Sequence, residues 1–241
     1  MLGDCLELMK EVPDGSVDMV CCDMPYGTTN CRWDTVLDLD QLWAHYRRIT
    51  KPNAAIVLFA QTPFDKVLGC SNLPWLRYEL IWEKTLATGH LNAKRMPMKA
   101  HENILVFYNK LPTYNPQMTS GHARKTAVKR EDITQVYGEQ NFTELAYDST
   151  ERYPRDVLKF PSDRQRSTLH PTQKPLALIE WLVRTYTNEG DVVLDNCMGS
   201  GTAGVACSNL GRRFIGMESD MKYFDIASAR IDSANANEIG A

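Results

Sequence analysis

The 241-residue sequence contains no Cys-x-x-Cys pair, no internal repeat, and nothing close to the ~20 consecutive apolar residues that a membrane span needs. Its seven cysteines are an odd number; Cys21 and Cys22 are adjacent and the others are scattered. Its five histidines lie far apart. A structural zinc site is therefore not expected, and free thiols fit a reducing cytoplasm. The opening residues Met1-Leu2-Gly3-Asp4-Cys5-Leu6-Glu7 have neither a basic flank nor an apolar core, so no export signal is expected.

A strong net charge is also missing: the chain carries −3. That near-neutrality hides a division. Between Lys84 and Arg130 stand nine basic residues and a single acid, Glu102, so this stretch carries +8 and the remainder −11. A basic segment on an acidic body is what contact with a polyanion requires. Solvated faces usually mix the signs, so Lys94, Arg95, Lys99, Arg124, Lys125, Lys129 and Arg130 are the candidates for phosphate contact.

The 43% apolar content is ordinary for a globular protein. A helix is expected over Cys5–Lys10 with Leu6 and Met9 on one face, then a turn at Pro13-Asp14-Gly15 and a strand over Val17–Cys22. Asp38 or Asp40 caps a helix over Gln41–Ile49, with Leu42, Trp43, Tyr46 and Ile49 at helical spacing. Ala54–Ala60 reads as a strand buried on both faces, Phe64–Cys70 as a short helix, and Tyr78–Glu83 and Asn103–Tyr108 as strands. Alternating strands and helices predict an α/β sheet with mostly parallel strands. From Asn109 to about Leu169 the periodicity fails, and aromatics interleave with basic residues; a loop-rich insertion of that length is usually functional. Regularity returns with a helix beginning near Pro175, a strand over Val192–Asp195, a turn, a helix over Ala203–Leu210, a strand over Phe214–Met217 and a final helix over Tyr223–Ala234.

Two turns carry chemistry. Asp23-Met24-Pro25-Tyr26 ends the first strand with a carboxylate, a fixed backbone and an aromatic ring, a set suited to gripping a flat polar group. Gly199-Ser200-Gly201-Thr202-Ala203-Gly204 matches G-x-G-x-x-G between a strand and a helix, and Glu218 ends the next strand, placed to accept from both hydroxyls of a ribose. A nicotinamide dinucleotide is the usual ligand of that pattern. Asp195 just ahead of the glycines would repel a pyrophosphate and attract the charged amino-acid end of S-adenosylmethionine, which is the preferred cofactor. Ligands of open α/β sheets bind at the carboxyl ends of strands, so the two turns are expected to share one crevice.

Taken together, these segments resemble the β class of DNA amino-methyltransferases. Asp23-Met24-Pro25-Tyr26 is similar to the family's Asp-Pro-Pro-Tyr motif. Asp195-Asn196-Cys197-Met198-Gly199-Ser200-Gly201-Thr202 is similar to its Asp-Pro-Phe-x-Gly-Ser-Gly-Thr. His170-Pro171-Thr172-Gln173-Lys174-Pro175, Gly3-Asp4 and His101-Glu102-Asn103-Ile104-Leu105 match further family segments. The resemblance implies a Rossmann-like methyltransferase sheet of about seven mostly parallel strands, with helices on both faces, circularly permuted so that the cofactor half comes last. Residues 1–108 would form the catalytic half, 109–169 a target-recognition insertion and 170–241 the S-adenosylmethionine-binding half.

The resemblance also implies catalytic roles for Asp23, Met24, Pro25 and Tyr26. It implies a cofactor site drawn from Asp4, Cys5, Asp23, His170, Thr172, Gln173 and Lys174, and from Asp195, Asn196, Cys197, Gly199, Ser200, Gly201, Thr202 and Glu218. The partner would be double-stranded DNA, with a homodimer as a further arrangement to test. In the family, Asp at the first motif position goes mostly with adenine N6 and Ser mostly with cytosine N4, so adenine is favoured. The rivals are a cytosine-N4 enzyme and an inactive DNA-binding relative; RNA or protein-glutamine methyltransferases tend to carry Asn in place of Asp23. Two positions depart from the pattern. Met24 replaces a Pro whose backbone carbonyl is the working group, which Met retains. Asn196 replaces a Pro, an exchange expected to loosen the glycine turn.

Overall fold

The computed structural model of the chain describes residues 1–27, 35–127, 147–161 and 173–239. It divides into two compact units, Met1–Asn115 with Asp156–Ala241, and Pro116–Arg155.

The larger unit opens with α1 (Cys5–Leu8), tightened into a 3-10 turn over Met9–Glu11. Asp4 caps α1 by accepting from the backbone N–H of Leu6 at 2.8 Å. After a turn at Gly15 comes β1 (Val17–Cys22). Asp38 caps α2 (Leu39–Ile49) through the N–H of Gln41 at 3.1 Å, and Leu42, Trp43, Tyr46 and Ile49 form its buried stripe. β2 (Thr50–Ala60) begins four residues earlier than the apolar run suggested. Pro52 is accommodated because the register with β1 breaks between Val17↔Thr50 and Met19↔Ala55, where a missing N–H costs no ladder bond.

α3 (Phe64–Ser71) leads to β3 (Leu76–Thr88) and β4 (Lys99–Phe107). Both strands overrun their expected bounds because they pair with each other as a long antiparallel hairpin as far as Thr88↔Lys99. β7 (Val157–Phe160) then joins β3 in parallel. α4 (Leu176–Tyr186) follows, with Pro175 as its N-cap rather than its first residue. β8 (Val192–Asp195), α5 (Thr202–Asn209), β9 (Arg213–Gly216) and α6 (Met221–Ile239) complete the unit. In the smaller unit, β5 (Lys125–Ala127) and β6 (Tyr147–Ser149) form an antiparallel pair.

The main sheet runs β7-β3-β4-β2-β1-β8-β9, and only β4 is antiparallel to its neighbours. Alternation in β1 and β2 builds two cores. Val20, Cys22, Ile56 and Leu58 pack with α1, α2 and α3. Met19, Cys21, Val57 and Phe59 pack with α4 and α5. Helices therefore cover both faces, which is why the central strands are apolar throughout.

Within 109–161, the N–H of Asn115 donates to Thr185 O at 2.8 Å, and β7 pairs with β3. The chain leaves β1 toward β2 and leaves β8 toward β9, in opposite directions across the sheet. The strand order thus reverses between β1 and β8, and their carboxyl ends, Asp23 and Asn196, open on one crevice.

Candidate active site

That crevice is a cavity of about 870 Å³. β1 delivers Asp23 to its wall. The next side chain, Met24, is 2% exposed and packs into the core, while the residue still borders the cavity. Met24 therefore serves as an anchor for the turn, leaving its backbone as the group available to a ligand. Pro25 holds it extended. The Tyr26 hydroxyl donates to Asp23 Oδ1, and its ring stacks on Phe64 with centroids 5.5 Å apart. Burial, with the Asp23 carboxylate beside it, pushes the Tyr26 phenol well above its ordinary range, so it stays a donor.

Behind Asp23 lies a buried chain of charges. Lys174 Nζ donates to Asp23 Oδ2 and lies 3.4 Å from Glu102 Oε2. Glu102 Oε1 accepts from Lys84 Nζ at 2.5 Å and from Gln61 Nε2 at 2.9 Å. The Lys174 ammonium also lies 5.1 Å from the Phe59 ring centroid. Burial opposes the charge on Lys174, but Asp23 and Glu102 outweigh it and raise its pKa. Burial likewise opposes ionisation of Glu102, and Lys174 and Lys84 outweigh it and hold the carboxyl below its usual range.

The glycine turn forms the opposite wall. Asp195 Oδ1 accepts from the N–H of Cys197 at 3.1 Å. Burial, followed by the nearby Asp23 and Glu218 carboxylates, pushes the Asp195 carboxyl up to about 7 against the opposing Cys197 N–H. Glu218 accepts from the N–H of Gly199 and of Asp220, both at 2.9 Å, which fixes its carboxylate at the edge of the cavity. Asn196 does not loosen the turn. Its Oδ1 accepts from the Tyr46 hydroxyl at 2.6 Å in the buried interior, so a side-chain hydrogen bond from α2 holds the position that Pro occupies in the family motif.

The structure brings most of the expected residues together. Asp4, Cys5, Asp23, Gln173 and Lys174 line the cavity, as do Asp195, Asn196 and Cys197, and Gly199, Ser200, Thr202 and Glu218. His170 and Thr172 lie outside the described residues. Lys174 turns toward Asp23 rather than toward the glycine turn. Gly201 does not face the cavity: a Cβ there would stand 2.8 Å from the Cβ of Ala227, so its glycine is required by α6 packing. Gly204 behaves likewise, its missing Cβ lying 2.3 Å from Ile231 Cδ1. Sequence reasoning missed Lys84 and Gln61 as partners of Glu102. It also missed Arg230, which reaches from α6 to donate to Ser200 O and, at 3.0 Å, to Ser200 Oγ. Only the alternation of charge along Lys84, Glu102 and Lys174 could have hinted at the first, since strand pairing had to be known.

The basic stretch is corrected in two places. Lys84 is buried against Glu102, and Arg124 binds Asp148 through two contacts of 2.7 and 2.5 Å, so neither offers an unpaired charge. Lys94, Arg95, Lys99 and Lys125 are exposed, and Lys129 and Arg130 lie outside the described residues.

Seven carboxylates and two ammonium groups line the cavity, and both ammonium groups are already tied to Glu102 or Asp23. The excess of negative charge suits a ligand that carries positive charge, and the fixed Glu218 carboxylate suits a diol.

The chain is similar to known proteins. The DNA methylase family profile for N6 and N4 enzymes matches residues 17–229. The chain is 27% identical over 252 aligned positions to the DNA adenine methyltransferase YhdJ of Escherichia coli (strain K12), covering 97% of this chain and 82% of that protein. It is similar to the crystal structure of the M1.HpyAVI–SAM complex, with a TM-score of 0.67 at 27% identity over 96% of this chain and 97% of the other. The fold is shared with the cytosine-N4-specific PvuII DNA methyltransferase, with a TM-score of 0.69 at 16% identity over 99% and 91% of the two chains. With the family profile spanning most of its length, and with both family turns facing one cavity, the chain belongs to the N6/N4 DNA methylase family.

Proposed function

We propose that this DNA methyltransferase methylates the exocyclic N6 of an adenine flipped out of duplex DNA. The observation that carries the reading is that Asp23 shares one cavity with Asp195 and Glu218, although the two turns lie at opposite ends of the chain. The cofactor is S-adenosylmethionine, and the donor set fits it. Glu218 is placed for the ribose hydroxyls, and the buried Asp195 carboxyl gains most from a cationic ligand. When bound there, the cofactor supplies an electrophilic methyl group.

The chain's own residues then act by orientation and charge. Asp23 and the carbonyl of Met24 accept hydrogen bonds from the amino group of the base, drawing the nitrogen lone pair out of ring conjugation. Tyr26 presents an aromatic surface to the base and keeps Asp23 in place through its hydroxyl. Lys174 orients the same carboxylate from its other oxygen. A base inside the duplex cannot reach Asp23, so it must be unstacked, at a cost of a few kcal/mol. Lys94, Arg95, Lys99 and Lys125 supply phosphate contacts, and the segment 109–169 reads the target.

The preference for adenine rests on Asp23 in the first motif position and agrees with the name of the Escherichia coli relative. The test is to incubate the protein with labelled cofactor and unmethylated duplex DNA, digest, and identify the nucleoside. N6-methyl-2′-deoxyadenosine is expected; N4-methyl-2′-deoxycytidine as the sole product overturns the adenine assignment, and no labelled nucleoside overturns the activity.

A further inference from the structure

The β3–β4 hairpin continues past the sheet into an exposed tip. Thr88↔Lys99 closes its stem, and the tip is ordered by backbone bonds from Asn92 N–H to Gly89 O at 2.9 Å and from Arg95 N–H to Asn92 O at 2.8 Å. Every residue from Gly89 to His101 is exposed. Three of them are large and apolar: Leu91 at 87%, Met96 at 54% and Met98 at 41% exposure. An ordered element that holds such side chains in water marks a contact surface.

Two further observations identify the partner. The stem residues Leu86, Ala87 and Thr88 line the same cavity as Asp23, so the tip rises from the mouth of the active site. Lys94, Arg95 and Lys99 surround the apolar residues, and among the described residues none of the three is in an ion pair. The stretch from Lys84 to His101 contains no acid at all. Protein interfaces are depleted in lysine at their cores. Apolar side chains flanked by cations are instead the composition of elements that enter a base stack and unstack it.

From this placement we infer that the hairpin tip is a wedge. Leu91, Met96 and Met98 enter the duplex beside the target and fill the stack after the base leaves, while Lys94, Arg95 and Lys99 hold the flanking phosphates. The inference rests on the reading of a flipped base as substrate.

The experiment separates the two. The modified site is first mapped by long-read sequencing of DNA from cells expressing the protein. A duplex oligonucleotide containing that site is compared with one that has an abasic position opposite the target base, so that the base is already unpaired. The Leu91→Ala/Met96→Ala/Met98→Ala variant removes only exposed side chains, and unchanged cofactor binding verifies its fold. Turnover on the paired duplex should fall roughly 10- to 100-fold, because unstacking is then unassisted. On the abasic duplex the loss should shrink to less than about 3-fold, because pairing no longer has to be broken. Equal losses on both duplexes overturn the wedge, as does dissociation of a wild-type dimer by the same substitutions in sedimentation, which would assign the patch to a second copy. If the wild-type protein modifies neither duplex, the base-flipping reading itself fails and the wedge with it.

Discussion

Lys174 donates to Asp23 Oδ2 across 151 positions of sequence, and Tyr26 donates to the other oxygen of the same carboxylate. Both oxygens of the proposed catalytic group are therefore oriented before a base arrives. The preorganisation depends on a buried ammonium balanced between Asp23 and Glu102.

Lys174→Met should therefore damage both stability and chemistry. It leaves Lys84 as the one cation beside buried Glu102 and removes one of the two donors that hold Asp23. A loss of about 3 kcal/mol is expected in chemical denaturation, since breaking a buried ionic network strands its partners. Adding Glu102→Gln should restore part of that loss by removing the stranded charge. Turnover should fall more than cofactor affinity in the single variant; a selective loss of cofactor affinity would return Lys174 to the cofactor cradle.

Asp23→Ala should strongly slow the reaction while leaving the cofactor half of the cavity intact. Removing one preorganised acceptor is expected to cost about 10²- to 10³-fold in kcat. The cofactor dissociation constant, measured by calorimetry, should change little, because Asp195 and Glu218 stand on separate strands' ends. Unchanged turnover would remove Asp23 from the mechanism.

Asp195 predicts a pH dependence with a definite sign. Its carboxyl ordinarily titrates at 3.8, and in the folded protein burial and its acidic neighbours raise it to about 7. Between those values the folded chain holds a proton that the unfolded chain has released. The contribution of this group to stability is thus complete below about 4 and is lost as pH rises through about 7. Cofactor binding works the other way, since a cationic ligand favours the ionised carboxylate. Affinity should rise as pH climbs through about 7, with a proton released on binding at about pH 6 and none at about pH 8.5. Calorimetry in buffers of different ionisation enthalpy measures that proton, and Asp195→Asn should flatten the profile.

Much of this site could be read from sequence because it is local. Asp23 and Glu218 each follow a strand recognisable from its own apolar residues, and the G-x-G-x-x-G pattern announces its turn. What sequence could not supply were contacts between distant strands. Glu102 meets Lys84 only through the β3–β4 pairing, and Lys174 reaches them from a segment leading into α4. The same limit explains the strand bounds: β3 has no apolar alternation past Glu83, and its extension to Thr88 comes from pairing, with β7 at Lys84 and with β4 at Thr88. The glycines are legible as a motif, but Gly201, expected at the cofactor, packs on Ala227, and Gly204 packs on Ile231.

The bond from the Tyr46 hydroxyl to Asn196 Oδ1 offers the last test, because it replaces a covalent restraint by a hydrogen-bonded one. A proline ring at position 196 would fix the backbone by itself. Asn196 must instead be held from outside, and both partners are fully buried, so neither polar atom can turn to water when the other is lost. Tyr46→Phe should therefore cost about 1–3 kcal/mol, the usual penalty for a buried acceptor left without its donor. Asn196→Ala strands the tyrosine hydroxyl and should cost a similar amount. The double variant removes donor and acceptor together and should be less destabilised than the sum of the two by about 1 kcal/mol or more. Because Asn196 lies between Asp195 and the glycines, each single variant should also weaken cofactor binding. Strict additivity in denaturation would mean that the bond does not hold the turn, and that the side chain of Asn196 is a passive substitute for proline.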